Sequence, residues 1–249
     1  MAHNAAHRLR TVRRYARASL VIAVSILVSC LVRAADPPAG LAKRVAERET
    51  AAESERGHYT YRQSVSVSDY SGEYRETRDV IFSPSGERSE VVIGKPSNNL
   101  RRLLLTEEDF RDIREVQPML LTRDTLWIYD SKFRGEDTDT GIDCWLLEIR
   151  PRQILDGQRL FDGTLWIDKR DFSIVRSEGK AVPEILTMKK DNLFPRFTTI
   201  REKIGDYWFP SKTLADDTLQ FRAGPVRMRM RIEYSNYRRF GADSKIEYK

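Results

Sequence analysis

The chain is poor in the residues that most catalytic and metal-binding chemistry needs. It has 249 residues but only two cysteines and three histidines. His3 and His7 sit in the first ten residues, and Cys30 lies in an apolar run, so the body of the chain keeps only His58 and Cys144. A zinc cluster built on His and Cys is therefore excluded, and Cys144 has no intrachain disulfide partner. A Ser-His-Asp or Cys-His pair would have to use His58, which reads instead as a polar boundary residue. There is no Gly-x-Ser-x-Gly, no phosphate-binding glycine loop and no dinucleotide fingerprint. Together these absences argue against an enzyme.

An excess of one charge is also missing once the first segment is set aside. The whole chain carries a formal charge of +6. Residues 1–35 hold six arginines and no acid, so 37 basic residues remain beyond them against 37 acids. A neutral body gives no support for nucleic-acid binding. The same segment has an Arg-rich start, an apolar core at 20–32 ("LVIAVSILVSCLV") and small residues before Asp36-Pro37-Pro38. This is the pattern of a signal peptide, spanning residues 1–35, with export to the periplasm. Arg17 and Arg33 bound the apolar run, which is too short for a spanning helix of about 20 residues. Two processing sites compete: cleavage between Ala34 and Ala35, or lipidation of Cys30 to give a membrane-anchored lipoprotein. Residues 36–249 are expected to form a single domain large enough for a substantial core.

What remains is β pattern. After an amphipathic helix expected over 39–56, with Asp36 as its cap and Leu41, Val45 and Ala52 on its apolar stripe, the period changes from helical to two. Strands are expected over 59–68, 74–82, 88–93, 126–129, 142–150, 164–167, 172–177, 197–203, 208–213 and 226–234. A short mid-chain helix follows Thr106, and Leu103, Leu104, Leu105 and Phe110 are placed to cover one opening of a sheet. Segment 163–178 ("GTLWIDKRDFSIVRSE") reads as a hairpin with Phe172, Ile174 and Arg176 on one face. The acidic stretch 136–143 is read as a solvated turn, with calcium as the less favoured alternative. The last strand alternates most strictly, with Val226, Met228, Met230, Ile232 and Tyr234 against Arg227, Arg229, Arg231 and Glu233.

Residues 143–180 ("DCWLLEIRPRQILDGQRLFDGTLWIDKRDFSIVRSEGK") resemble the central hairpins of LolA/LolB-like outer-membrane lipoprotein-sorting proteins. The resemblance rests on Arg150-Pro151 ending a strand, then Gly-x-Leu-Trp-Ile-Asp, then Phe-x-Ile-Val-Arg. "LTEEDFRDI" at 105–113 and "IGDYWFPSKT" at 204–213 are similar to further segments of that family. It implies a mostly β fold: an unclosed antiparallel β-barrel of about ten to eleven strands, with an N-terminal helix and a short mid-chain helix as lid. It also implies a non-enzymatic, cofactor-free periplasmic carrier of lipoprotein acyl chains or lipids. The partners implied are those acyl chains, an inner-membrane release complex or an outer-membrane acceptor, and the chain would act as a monomer. An envelope sensor or interaction module of the RseB type is the alternative, and a hydrolase or transferase the more distant one. The expected cavity lining is Val226, Met228, Met230 and Ile232, with Trp145, Leu147, Ile149, Leu165 and Ile167. For an arginine latching the lid, Arg62, Arg75 and Arg78 are the candidates.

Overall fold

A computed structural model describes residues 36–83, 87–115, 121–153, 159–186 and 191–240. The leader, with Cys30 and the Ala34-Ala35 bond, lies outside the described residues. The chain divides into two units, Met1–Asp36 and Pro37–Lys249, and every element below belongs to the second.

Among the described residues, eleven strands form one antiparallel sheet: β1 (Tyr59–Asp69), β2 (Gly72–Phe82), β3 (Arg88–Val92), β4 (Ser97–Asn98), β5 (Tyr129–Asp139), β6 (Ile142–Pro151), β7 (Leu160–Asp168), β8 (Ile174–Val182), β11 (Phe197–Ile204), β12 (Tyr207–Phe221) and β13 (Gly224–Arg239). The order is β3-β2-β1-β13-β12-β11-β8-β7-β6-β5, with β4 beside β2. Strands β9 (Ile185–Leu186) and β10 (Asp191–Asn192) pair separately. Strands β3 and β5 end the order without pairing to each other, so the sheet is not closed into a barrel. Among the described residues two α-helices accompany it, α1 (Leu41–Arg56) and α2 (Glu107–Glu115). The expected fold class is the observed one.

Local details differ from the sequence reading in four places. Residues 126–128 form a 3-10 turn, not a strand, and β5 starts at Tyr129. The acidic stretch is mostly strand, and its turn is only Thr140 and Gly141, at φ 48° and 84°. Two successive positive φ values suit a two-residue hairpin turn, for which glycine is the natural second residue. Strand β5 was hard to read because it is an edge strand with charge along its exposed length, which blunts pairing with other chains. In the 163–178 hairpin the register slips between Trp166 and Ile167, which face Arg176 and Ile174, so Val175 is an extra residue. Ile174 and Val175 are both buried, and Phe172, at φ 63°, belongs to the turn. Lastly, α1 begins after Gly40 in a left-handed conformation without a side-chain cap, so Asp36 does not cap it.

Helix α1 buries Leu41, Val45, Ala46 and Ala52, a narrow stripe that is supplemented by arginines. Arg44 stacks over the Phe172 ring at 3.6 Å and Arg48 over the Tyr207 ring at 4.5 Å. Arg48 Nε also donates to Ser173 Oγ at 3.0 Å, and its guanidinium donates to the Asp206 carbonyl. The β7–β8 and β11–β12 turns are thus the surface on which α1 rests, a role that the plain hairpin at 163–178 did not reveal.

The central link is ionic. Glu49 faces into the sheet from α1, and Arg201 reaches it from β11 with paired contacts of 2.7 and 2.9 Å. Their side chains are only 2% and 1% exposed. Arg201 is therefore the buried arginine that grips the first helix, while exposed Arg239 of β13 pairs with Glu55 near its end at 3.0 Å. The three candidates named from sequence do other work: Arg62 pairs with Asp79 at 2.8 Å, Arg75 with Glu73 at 2.7 Å, and Arg78 with Glu90 at 2.5 Å, all within β1–β3.

Removing one partner of a buried pair strands the other charge, a loss of about 3–5 kcal/mol. Arg201→Met is expected to lower stability by that amount in urea unfolding followed by circular dichroism. Glu49→Leu combined with Arg201→Met is expected to recover most of the loss, because neither charge is then buried. A double variant as unstable as the single one would show that packing, not charge, holds α1.

Candidate functional site

The strict alternation of β13 sets the site. Val226, Met228, Met230, Ile232 and Tyr234 are buried on one face, while Arg227, Arg229 and Arg231 are exposed on the other. Arg227 and Arg229 both pair with Asp216 of β12, at 3.0 and 3.2 Å. The two ends of the buried face are treated differently. Ile232 is covered completely, whereas Val226, Met228 and Met230 line a cavity of about 810 Å³. Val67 of β1, whose register partner is Met230, lies beside them. Met228 and Met230 supply unbranched, polarizable side chains that adapt to irregular apolar ligands.

The far wall comes from connecting segments. Leu103 and Leu105 precede α2, Ile113 lies on it, and Leu193 and Phe194 follow β10. Exposed Leu104, Arg102, Arg222 and Ala223 also border the cavity and mark its mouth. Leu104 is 77% exposed there. Helix α2 starts where Thr106 and Asp109 bond reciprocally: Thr106 N and Oγ1 donate to Asp109 Oδ2 at 2.6 and 2.8 Å, and Asp109 N donates back at 3.3 Å. Its Phe110 ring meets Tyr74 of β2 at 5.1 Å.

This wall is held to the sheet by polar bonds at the β1–β2 turn. The Asp69 carboxylate accepts from Ser71 N at 2.6 Å, Ser71 Oγ at 2.5 Å, Gly72 N at 3.0 Å and Leu103 N at 2.9 Å. Glu73 N donates to Asn99 Oδ1 at 2.5 Å. The approach is so close that a Cβ at Gly72 would collide with the Asn99 oxygens. Burial pushes the Asp69 carboxyl up, but hydrogen bonds from Ser71, Leu103 and Gly72 outweigh it and hold the group below the usual carboxylate range.

The nine residues expected to line a cavity are thus divided. Val226, Met228 and Met230 border the large one. Leu147 borders a smaller hollow of about 340 Å³ with Leu41 and Phe133. Ile232, Ile149, Leu165 and Ile167 are packed core, and Trp145 stacks against Phe172 at 5.0 Å. Leu103, expected to cover an opening of the sheet, does border the cavity, while Ile113 and Phe194 were missed as lining residues. For Phe194 a signal was available, an apolar cluster without β alternation ("LFPRF"), but only tertiary structure brings it to β13.

Reactive groups elsewhere are quiet. Cys144 is buried and its thiol is pushed up to about 11, mainly by burial. His58 lies between α1 and β1, its side chain 55% exposed, with Glu55 at 3.5 Å. In the acidic stretch Glu136 pairs with Lys169 at 2.8 Å, Asp139 with Arg176 at 3.3 Å, and Asp137 accepts from Trp166 Nε1 at 2.9 Å. Among the described residues no group of three or more metal-ligating side chains converges, and no helix is long and apolar enough to cross a membrane.

No family model and no curated protein matches the chain. Among solved structures it is similar to a DUF1329 family protein from Desulfovibrio piger, at 17% identity and a TM-score of 0.46 over 84% of this chain and 96% of that one. It is also similar to a LolA superfamily protein from Nitrosomonas europaea, at 12% identity and a TM-score of 0.39 over 84% and 97%. An outer membrane lipoprotein-sorting protein domain from Vibrio parahaemolyticus is similar at 12% identity and a TM-score of 0.45 over 82% and 95%.

Asp69 gives the wall a pH dependence of definite sign. Its folded pKa is lowered, so its contribution is complete above the ordinary value of about 3.9 and is lost as pH falls through the folded value. Asp69→Ala leaves three backbone donors without this acceptor, and is expected to cost about 1–3 kcal/mol at pH 7 in urea unfolding. The difference from the parent chain should shrink below pH ~4. A difference that does not change with pH would mean that the carboxylate charge is not what holds Leu103.

Proposed function

We propose that this chain is a non-enzymatic periplasmic binder of lipids or lipoprotein acyl chains. The observation that carries the reading is the cavity of about 810 Å³ between β13 and the α2 segment, lined by Met228, Met230, Leu103 and Phe194. Its size suits a small-molecule or lipid site, and its walls are mostly apolar with polar groups at the mouth. Each buried methylene contributes about 0.8 kcal/mol, so one acyl chain supplies enough driving force for micromolar binding. The resemblance of residues 143–180 to lipoprotein-sorting proteins points the same way.

Export belongs to the same proposal. The leader over residues 1–35 would be removed, leaving a monomeric domain that exchanges its ligand with an inner-membrane release complex or an outer-membrane acceptor. A second reading, a sensor that reports bound lipid to a protein partner, draws on the free edge of the sheet, where Val91, Val92 and Ile93 are exposed beside Ile81.

Intact-mass analysis of protein from an exporting host is expected to show a chain beginning at or near Ala35. A mass matching acylated Cys30 would overturn soluble release in favour of a membrane anchor. For the cavity, Met230→Glu is expected to abolish binding of a neutral fluorescent apolar probe while the fold persists by circular dichroism, because a lone charge is unfavourable in an apolar pocket. Arg229→Gln, on the opposite face, is expected to leave probe binding unchanged. Normal probe binding by Met230→Glu would place the site elsewhere.

A further inference from the structure

The geometry points to a ligand with an acyl tail and an anionic head, its tail in the cavity and its head against Arg102. This rests on the reading of the cavity as a lipid site and adds the class of ligand.

The first observation is the lining: Leu103, Leu193, Phe194, Met228 and Met230 offer an acyl tail an apolar wall. The second observation is charge at the mouth. Four charged residues border the cavity there: Arg102, Arg222, Asp109 and Asp191. Three are committed. Asp109 accepts from Thr106 at the start of α2. Asp191 pairs with Arg222 at 2.7 Å and also accepts from Arg222 N at 2.9 Å.

Arg102 differs. Among the described residues no ion pair engages it. Its Nε donates to the Tyr70 hydroxyl, and its guanidinium lies 5.4 Å from the centre of the Tyr70 ring. Tyr70 is itself 73% exposed. The hydroxyl orients the guanidinium without neutralising it, and among the described residues no other side chain takes its remaining N–H groups, which can form a fork toward a carboxylate or phosphate. The backbone beneath is fixed as well: Arg102 N donates to Ser71 Oγ at 3.3 Å and Leu103 N to Asp69. Leu103 turns into the cavity while Arg102 stays at its rim, so consecutive residues would meet the two parts of one amphiphile.

The test is displacement of N-phenyl-1-naphthylamine, a neutral probe, from the full-length chain expressed in an exporting host. The competitors are palmitate, palmitoyl lysophosphatidate and neutral monopalmitoyl glycerol. Palmitate or lysophosphatidate is expected to compete about tenfold better than monopalmitoyl glycerol, the scale of one charge-assisted contact. Whichever anion competes better identifies a fatty acid or a phospholipid as the source. Arg102→Gln should abolish the anion preference and leave the neutral competitor unchanged. Arg102→Lys should keep most of the preference, and Arg101→Gln, outside the cavity lining, all of it. Equal competition by neutral and anionic single-chain ligands, or an undiminished preference in Arg102→Gln, overturns the role of Arg102 while the cavity reading stands. No competition by any amphiphile overturns the lipid site itself, and this inference with it.

Discussion

The buried pair between Glu49 and Arg201 is the contact on which the arrangement of helix and sheet depends. Its charges have left water, so their desolvation must be offset by a short, two-pronged contact in the low-dielectric interior. That requirement admits little movement along the helix axis. A stripe of Leu41, Val45, Ala46 and Ala52 would pack almost as well one turn displaced; the ion pair would not survive it. Arg44 and Arg48 then stack on the rings of Phe172 and Tyr207, which ties the same helix to two hairpin turns. An exact placement of α1 follows from polar contacts more than from the area of its apolar face.

An unclosed sheet raises a second difficulty, because its inward face needs cover along its whole width. Helix α1 covers the part near β11 and β12. The part at the start of β13 is covered by a nine-residue helix and loops, held by polar bonds at their margins: Asp69 to Leu103, Asn99 to Glu73, Thr106 to Asp109. Such anchoring fixes the wall at its rim without forcing side chains to fill the space behind it. The cavity survives because its wall is suspended, whereas Ile149, Leu165 and Ile167, under strands with matched neighbours, are packed solid.

Much of the architecture was legible in the chain. Period-two patterning in β13 assigns Met228 and Met230 to the dry face and Arg227 and Arg229 to the wet one, since successive residues of a strand point to opposite sides. The change of period after Gly57 marks the end of α1. Thr106 and Asp109 announce α2 through their spacing. Strand β5 was hidden because an edge strand carries charge on both faces, and the bulge at Val175 was hidden because the extra residue leaves local composition unchanged.

Position across the sheet was not legible. Arg201 resembles any other outward arginine until β11 is placed beneath α1, and the four acids of residues 136–143 read as a loop until Lys169, Arg176 and Trp166 are set opposite them. The nine apolar residues expected to line a cavity share a chemistry, and sequence alone gives no reason why Met230 faces a void and Ile232 does not. That difference is decided by what lies across from each, Phe194 and Leu193 a few tens of residues away and Leu103 and Ile113 more than a hundred. Strands and their faces follow from near neighbours in the chain, and so are written in its residue order. Where the apolar face is filled and where it is left open depends on packing between residues distant in the chain, and emerges only with the fold.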